Sequence, residues 1–161
     1  MFGLFKSKDF TEKEARVTEI GKMLFQQISL VRDKANAGKI DDNSFNQRIN
    51  SMYSAAYLIG YVDEHLSEMF TDEKSKSKYA ERILDGIFPG SGVKLVQSKL
   101  AARRLGETIS TDSDKFTTVF LQCQEFDNGM RAARYEVSKY LVNNEYLPCK
   151  LEQYLSTGKI D

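Results

Sequence analysis

The chain of 161 residues has little of what usually announces chemistry. It holds two cysteines, Cys123 and Cys149, and they are not spaced as a C-x-x-C pair. That excludes a disulfide framework and a cysteine zinc motif, and both residues read as buried thiols. It holds one histidine, His65. A di-iron bundle needs paired Glu-x-x-His motifs on different helices, and here Val62 stands where the glutamate belongs. No run is long and apolar enough to span a bilayer. The opening "MFGLFK" is too short, and lacks the basic start, for a signal peptide. A cytoplasmic location is therefore expected. Charge of one sign is also missing: Lys+Arg and Asp+Glu are 23 each, with pI near 6.6. An all-over attraction to nucleic acid or membrane is not expected. With two prolines and no sustained apolar/polar alternation, no strand is predicted.

What the sequence does contain is helix. Val17, Ile20, Leu24, Ile28, Val31 and Ala35 form one apolar stripe over residues 11–37. Thr11 and Glu14 have the capping-box spacing, and Gly38 followed by Ile40 suits a left-handed stop. Over 42–70, Phe45, Met52, Ile59 and Leu66 recur every seven residues, with Ile49, Ala55, Val62 and Met69 between them. Over 113–144, Phe116, Cys123, Met130 and Val137 do the same, beside Val119, Phe126, Ala133 and Tyr140. "DNG" at Asp127 to Gly129 has turn composition, but the register continues across it, so one helix is expected. Shorter helices are expected over 72–87, 91–109 and 148–157, the last with a glycine stop at Gly158 like that at Gly38.

The fold predicted is an all-α single-domain helical bundle of three long helices plus two or three shorter ones. It occupies residues 11–161, with 1–10 a flexible or docked N-terminal segment. Met52, Ile59, Leu66, Val119, Phe126 and Met130 are expected to be buried together. Phe2, Leu4 and Phe5, followed by Lys6 and Lys8, offer at most a weak membrane or partner contact.

Three features could carry function. "IFPGSGVKL", residues 87–95, is the glycine- and proline-dense stretch, but it fails the P-loop pattern and no strand precedes it. A dinucleotide fingerprint fails because Leu95 replaces its third glycine. What remains is Ser91 as a helix cap with Lys94 in the first turn, a possible anion contact or a plain connection. Charge is unevenly spread. Residues 41–73 carry seven acidic side chains against Arg48 alone, and residues 74–104 carry eight basic ones against Glu81 and Asp85. Lys94, Lys99, Arg103 and Arg104 form a basic surface for an acidic partner, or a complement to the acidic helix within the fold. Nucleic-acid binding is the less favoured reading, since no recognition motif accompanies these cations. Lastly, Tyr53, Tyr57, Tyr61 and His65 stand four apart beside the apolar face, as a partner-binding row or as a core border with its hydroxyls in water. Ala56 and Gly60 next to them would admit a closely packed helix.

The expected function is a non-enzymatic intracellular protein-binding or regulatory module, engaging a protein partner or a second copy of itself. One alternative is an enzyme with a cleft near His65 and the tyrosines; another is a nucleic-acid or anion binder using the basic fourth helix. No metal or cofactor is implied by any motif.

Overall fold

A computed structural model describes residues 8–106 and 116–160. Among these residues there are seven helices and no strand. They are α1 (Lys8–Asn36), α2 (Asp42–Ile49), α3 (Met52–Met69), α4 (Glu73–Ile87), α5 (Gly92–Gly106), α6 (Phe116–Val142) and α7 (Lys150–Thr157). The protein is an all-α helical bundle. The expectations for Phe2, Leu4, Phe5 and Lys6 lie outside the described residues.

α3 is the axis of the bundle. Twelve of its 18 residues are buried, and α1, α2, α4, α5 and α6 all pack on it. A helix this enclosed needs small or apolar residues on every side, which "SAAYLIGYV" supplies. Its closest neighbour is α6. A Cβ on Gly129 of α6 would fall on the Tyr53 carbonyl oxygen, and one on Gly60 of α3 would come within 2.7 Å of the Met130 sulfur and 3.2 Å of the Ala133 Cβ. The two glycines let the backbones cross at close range. That contact explains why "DNG" does not turn: α6 runs unbroken through it.

The third long helix expected over 42–70 is two helices. α2 stops at Asn50, whose side-chain amide donates to the Asn46 carbonyl at 2.8 Å. Ser51 then caps α3, its hydroxyl accepting from the Ser54 amide at 3.1 Å. Short polar side chains compete with the backbone ladder in this way. The seven-residue apolar register survives the break, so periodicity alone does not reveal it. Thr11 lies inside α1 rather than at its cap, and Glu14 serves α4 instead, as described below. Two helix stops match expectation: Gly38 and Gly158 have φ of 68° and 73°, a region that favours glycine.

The main core joins α1 (Val17, Ile20, Leu24, Ile28, Val31), α3, α4 (Ile83, Leu84, Ile87) and α7 (Leu151, Leu155). A smaller cluster gathers Met52, Ala56 and Phe126, with partly buried Ile59, Leu100 and Met130 against them. The predicted group is thus divided: Leu66 belongs to the main core, and the side chain of Val119 lies outside the described residues. Cys123 and Cys149 are half-buried rather than buried. No helix among the described residues is long and apolar enough to cross a membrane.

Candidate functional site

The tyrosine row is not a border. Tyr53, Tyr57, Tyr61 and His65 are each at most 1% exposed, so the expectation of hydroxyls reaching water is corrected. Over residues 52–62 every α3 side chain is buried or half-buried, so a row that drifts around the helix there stays inside wherever it turns. The rings form a continuous column. Tyr154 of α7 lies 4.2 Å from Tyr53, and the spacings Tyr53–Tyr57, Tyr57–Tyr61 and Tyr61–His65 are 6.4, 5.7 and 4.8 Å. Tyr140 of α6 closes the far end, 5.6 Å from His65. As folded, none of the four is available to a partner's surface.

Burying hydroxyls requires acceptors, and glutamates supply them. Tyr57 donates to Glu136 Oε2 in a short hydrogen bond. Tyr146 donates to Glu136 Oε1 at 3.2 Å, Tyr154 to Glu125 at 2.9 Å, Tyr140 to Glu19 at 2.7 Å and Tyr79 to Glu14 at 2.8 Å. Glu14 also holds Arg82, tying α1 to α4. Burial, then the Glu136 carboxylate, pushes the Tyr57 hydroxyl pKa well above its ordinary value and that of Tyr146 up to about 12. Both therefore stay protonated donors.

Glu136 is the centre of this arrangement and was missed in the sequence. It is fully buried, and among the described residues no lysine or arginine is paired to it. Besides the two tyrosines it accepts from the backbone amides of Cys149 at 2.7 Å and Lys150 at 3.0 Å, the first turn of α7. A carboxylate at a helix N-terminus is favoured by the free amides and the helix dipole. The opposite end of α7 is held by Arg48, whose guanidinium donates to the Leu155 and Ser156 carbonyls at 3.0 and 2.8 Å. One signal was available: Glu136 is three residues after Ala133 and four before Tyr140, inside the apolar sector of α6. Gln27, buried between Leu24 and Val31 on α1, has the same kind of placement and donates to Tyr57.

At the other end of the column Arg16 donates to Tyr140 at 2.9 Å and Glu19 at 2.8 Å, its guanidinium 4.7 Å over the Tyr140 ring. Burial disfavours the charge on Glu19, but the bonds from Tyr140 and Arg16 outweigh it and lower its pKa. His65 Nε2 is buried and has no hydrogen-bond partner among the described residues. Burial first, then the nearby Arg16 charge, lowers the His65 pKa to about 4, against an opposing pull from Glu19.

The chemistry this arrangement offers is fastening. Its donors and acceptors face one another across helices. The Cys149 thiol, where α7 begins, is pushed up by burial and by Glu136 and Glu152, which makes it a poor nucleophile. Among the described residues no three His, Cys, Asp or Glu side chains gather as metal ligands would.

The basic candidates are dispersed. Arg103 is bound by Asp127 of α6 through two contacts of 3.1 Å, so it pairs inside the fold, though with α6 and not with the acidic α3. Ser91, Lys94 and Arg104 are exposed and Lys99 is half-buried. The glycines of "IFPGSGVKL" have steric reasons of their own: Gly90 has φ of 70°, and a Cβ on Gly92 would strike the Leu84 carbonyl. No known family, curated protein or solved structure matches this chain.

Proposed function

We propose that the chain is a non-enzymatic helical module that binds a protein partner in the cytoplasm, on the outer face of α6. The observation that supports this is the contrast between inside and outside. The polar column that resembled a binding row is consumed internally. Meanwhile Leu121, Tyr135 and Val142, which share one face of α6 at multiples of seven residues, are 56, 51 and 89% exposed. Asn128 and Arg131 lie on the same strip. Two adjoining grooves flank it: one of about 430 Å³ between α5 and α6 that includes Cys123, Gln124 and Asp127, the other of about 300 Å³ reaching Tyr135 and Lys150. Tyrosine and arginine are the residue types that most often dominate interface energy. Arg131 and Lys150 at the rim favour a partner with an acidic surface. Among the described residues Arg131 has no ion-pair partner.

The test uses the full chain as bait in an extract of its native cell, followed by reconstitution with the purified candidate. A Tyr135→Ala/Arg131→Glu variant should lose the reconstituted binding while melting at the wild-type temperature. Equal binding by the variant would refute this face. The nucleic-acid alternative has its own measurement: salt-sensitive RNA or DNA binding that Lys99→Glu/Arg103→Glu abolishes would replace the present reading.

A further inference from the structure

The two grooves on the outer face of α6 form one trough, because Asn128 and Arg131 line both. It runs from Phe120 to Tyr135, a stretch of helix about 22 Å long, with an exposed ring at each end. Its middle is polar. Gln124 and Asn128 line it one helical turn apart, and among the described residues their side-chain amides have no hydrogen-bond partner. Each amide offers two donors and an acceptor. Their spacing of about 6 Å along the axis is close to the roughly 6.6 Å between alternate residues of an extended chain. Such a pair can bond the free N–H and C=O groups of an extended backbone, which a docked helix would already have bonded within itself. Unanswered charge collects at one end only. Toward Phe120, Asp127 is neutralised by Arg103. Toward Tyr135 stand Arg131, Lys150 and, 5.5 Å from the Tyr135 ring centre, Lys139. None of these three is ion-paired among the described residues.

We propose, on the reading that this face binds a protein partner, that the bound segment is an extended peptide of about seven residues with an acidic side chain toward one end. Gln124 and Asn128 bond its backbone. Arg131 and Lys150 hold its acidic group, and the Phe120 and Tyr135 rings pack on side chains at either end. A single-stranded nucleic acid fits less well. It carries a phosphate at every unit and asks for cations along the whole trough, whereas here they are confined to one end.

The probe is a phage-displayed library of random heptapeptides, selected on the full chain. Enriched sequences are then synthesised and their affinities read by fluorescence anisotropy. They should share one Asp or Glu near an end, lack the helical spacing of apolar residues, and bind with Kd on the order of 1–100 μM. Gln124→Ala and Asn128→Ala should each weaken binding by about fivefold or more, with melting unchanged or raised, since alanine favours a helix. Arg131→Glu should move the selected preference from an acidic residue to Lys or Arg. A library that yields no binder tighter than about 100 μM overturns the proposal. So do peptides whose affinity neither Gln124→Ala nor Asn128→Ala changes, and peptides enriched with a helical pattern. A single-stranded oligonucleotide that binds more tightly than any selected peptide, and is released by Asn128→Ala, overturns it in favour of nucleic acid. The two readings fail separately. A native partner lost with Tyr135→Ala/Arg131→Glu, while no heptapeptide binds, keeps the face and discards the extended peptide. Peptide binding unchanged in that double variant discards both.

Discussion

His65 should make the fold acid-sensitive within a window that can be computed. The imidazole is buried between Tyr61 of α3 and Tyr140 of α6, its Nε2 has no acceptor among the described residues, and the nearest cation is Arg16 of α1. Protonation would place a second positive charge beside that guanidinium without water to solvate it. The folded-state pKa is accordingly about 4 against an ordinary 6.5. A histidine with a depressed folded pKa contributes stability that is full above 6.5 and is lost as pH falls toward 4, because the unfolded chain binds the proton first. Integrating between those values gives a loss of about 2.5 kcal/mol by pH 4.5.

Carboxylates with lowered pKa, Glu19 among them, lose stability in the same direction at lower pH, so wild type alone cannot isolate the effect. His65→Phe keeps a ring in the column and removes the titration. Urea denaturation of both proteins at several pH values from 7.5 to 4.5 gives two stability profiles. Any constant cost of the larger ring cancels when slopes are compared. The wild-type profile should fall more steeply below pH 6.5, and the gap between the two should close or reverse by about 2.5 kcal/mol across the window. Parallel profiles would mean that His65 reaches solvent or an acceptor when protonated, and the buried column as described would be wrong.

Other perturbations follow from the same packing. Gly129→Ala should cost about 3 kcal/mol or more, because the new methyl meets backbone at Tyr53 rather than a movable side chain; a loss under about 1 kcal/mol in chemical denaturation would show that the α3–α6 crossing is looser. Glu136→Leu leaves two tyrosine hydroxyls and two α7 amides without an acceptor and should cost about 4 kcal/mol or more, while Glu136→Gln keeps an acceptor oxygen and should cost less. If leucine proves no worse than glutamine, the network is not what holds α7. Phe126→Ala should cost about 3–5 kcal/mol, and the partly buried Ile59→Ala less, near 2 kcal/mol; the reverse order would place the smaller core on the wrong residues.

The apolar faces of α1, α4 and α6 were legible because burial on one side of a helix leaves a periodic trace in sequence, and Gly38 and Gly158 were legible because a left-handed stop selects glycine locally. The division of α2 from α3 was not, since Asn50 and Ser51 interrupt the backbone without disturbing the apolar period. The tyrosine row was read as a surface for a different reason. Met52, Ala55, Ile59 and Val62 already make a sufficient face for a helix covered on one side, and sequence does not say that α3 is enclosed all round over residues 52–62. Nor does it say where a hydroxyl finds its acceptor: Tyr57 and Glu136 are 79 residues apart, Tyr140 and Glu19 121. Equal numbers of acidic and basic residues suggest a surface of balanced ion pairs. In fact Glu14, Glu19, Glu125 and Glu136 all accept from tyrosine hydroxyls. Glu136 is withdrawn from the surface altogether, and Glu14 and Glu19 serve an arginine as well. Carboxylates committed inward leave some cations outside without an acidic partner among the described residues, Arg32 and Arg131 among them. Those two stand on the same faces as the exposed rings of Phe25 and Tyr135. The internal use of glutamate thus bears on function, because it determines which stretches of the surface combine an exposed ring with an unanswered charge.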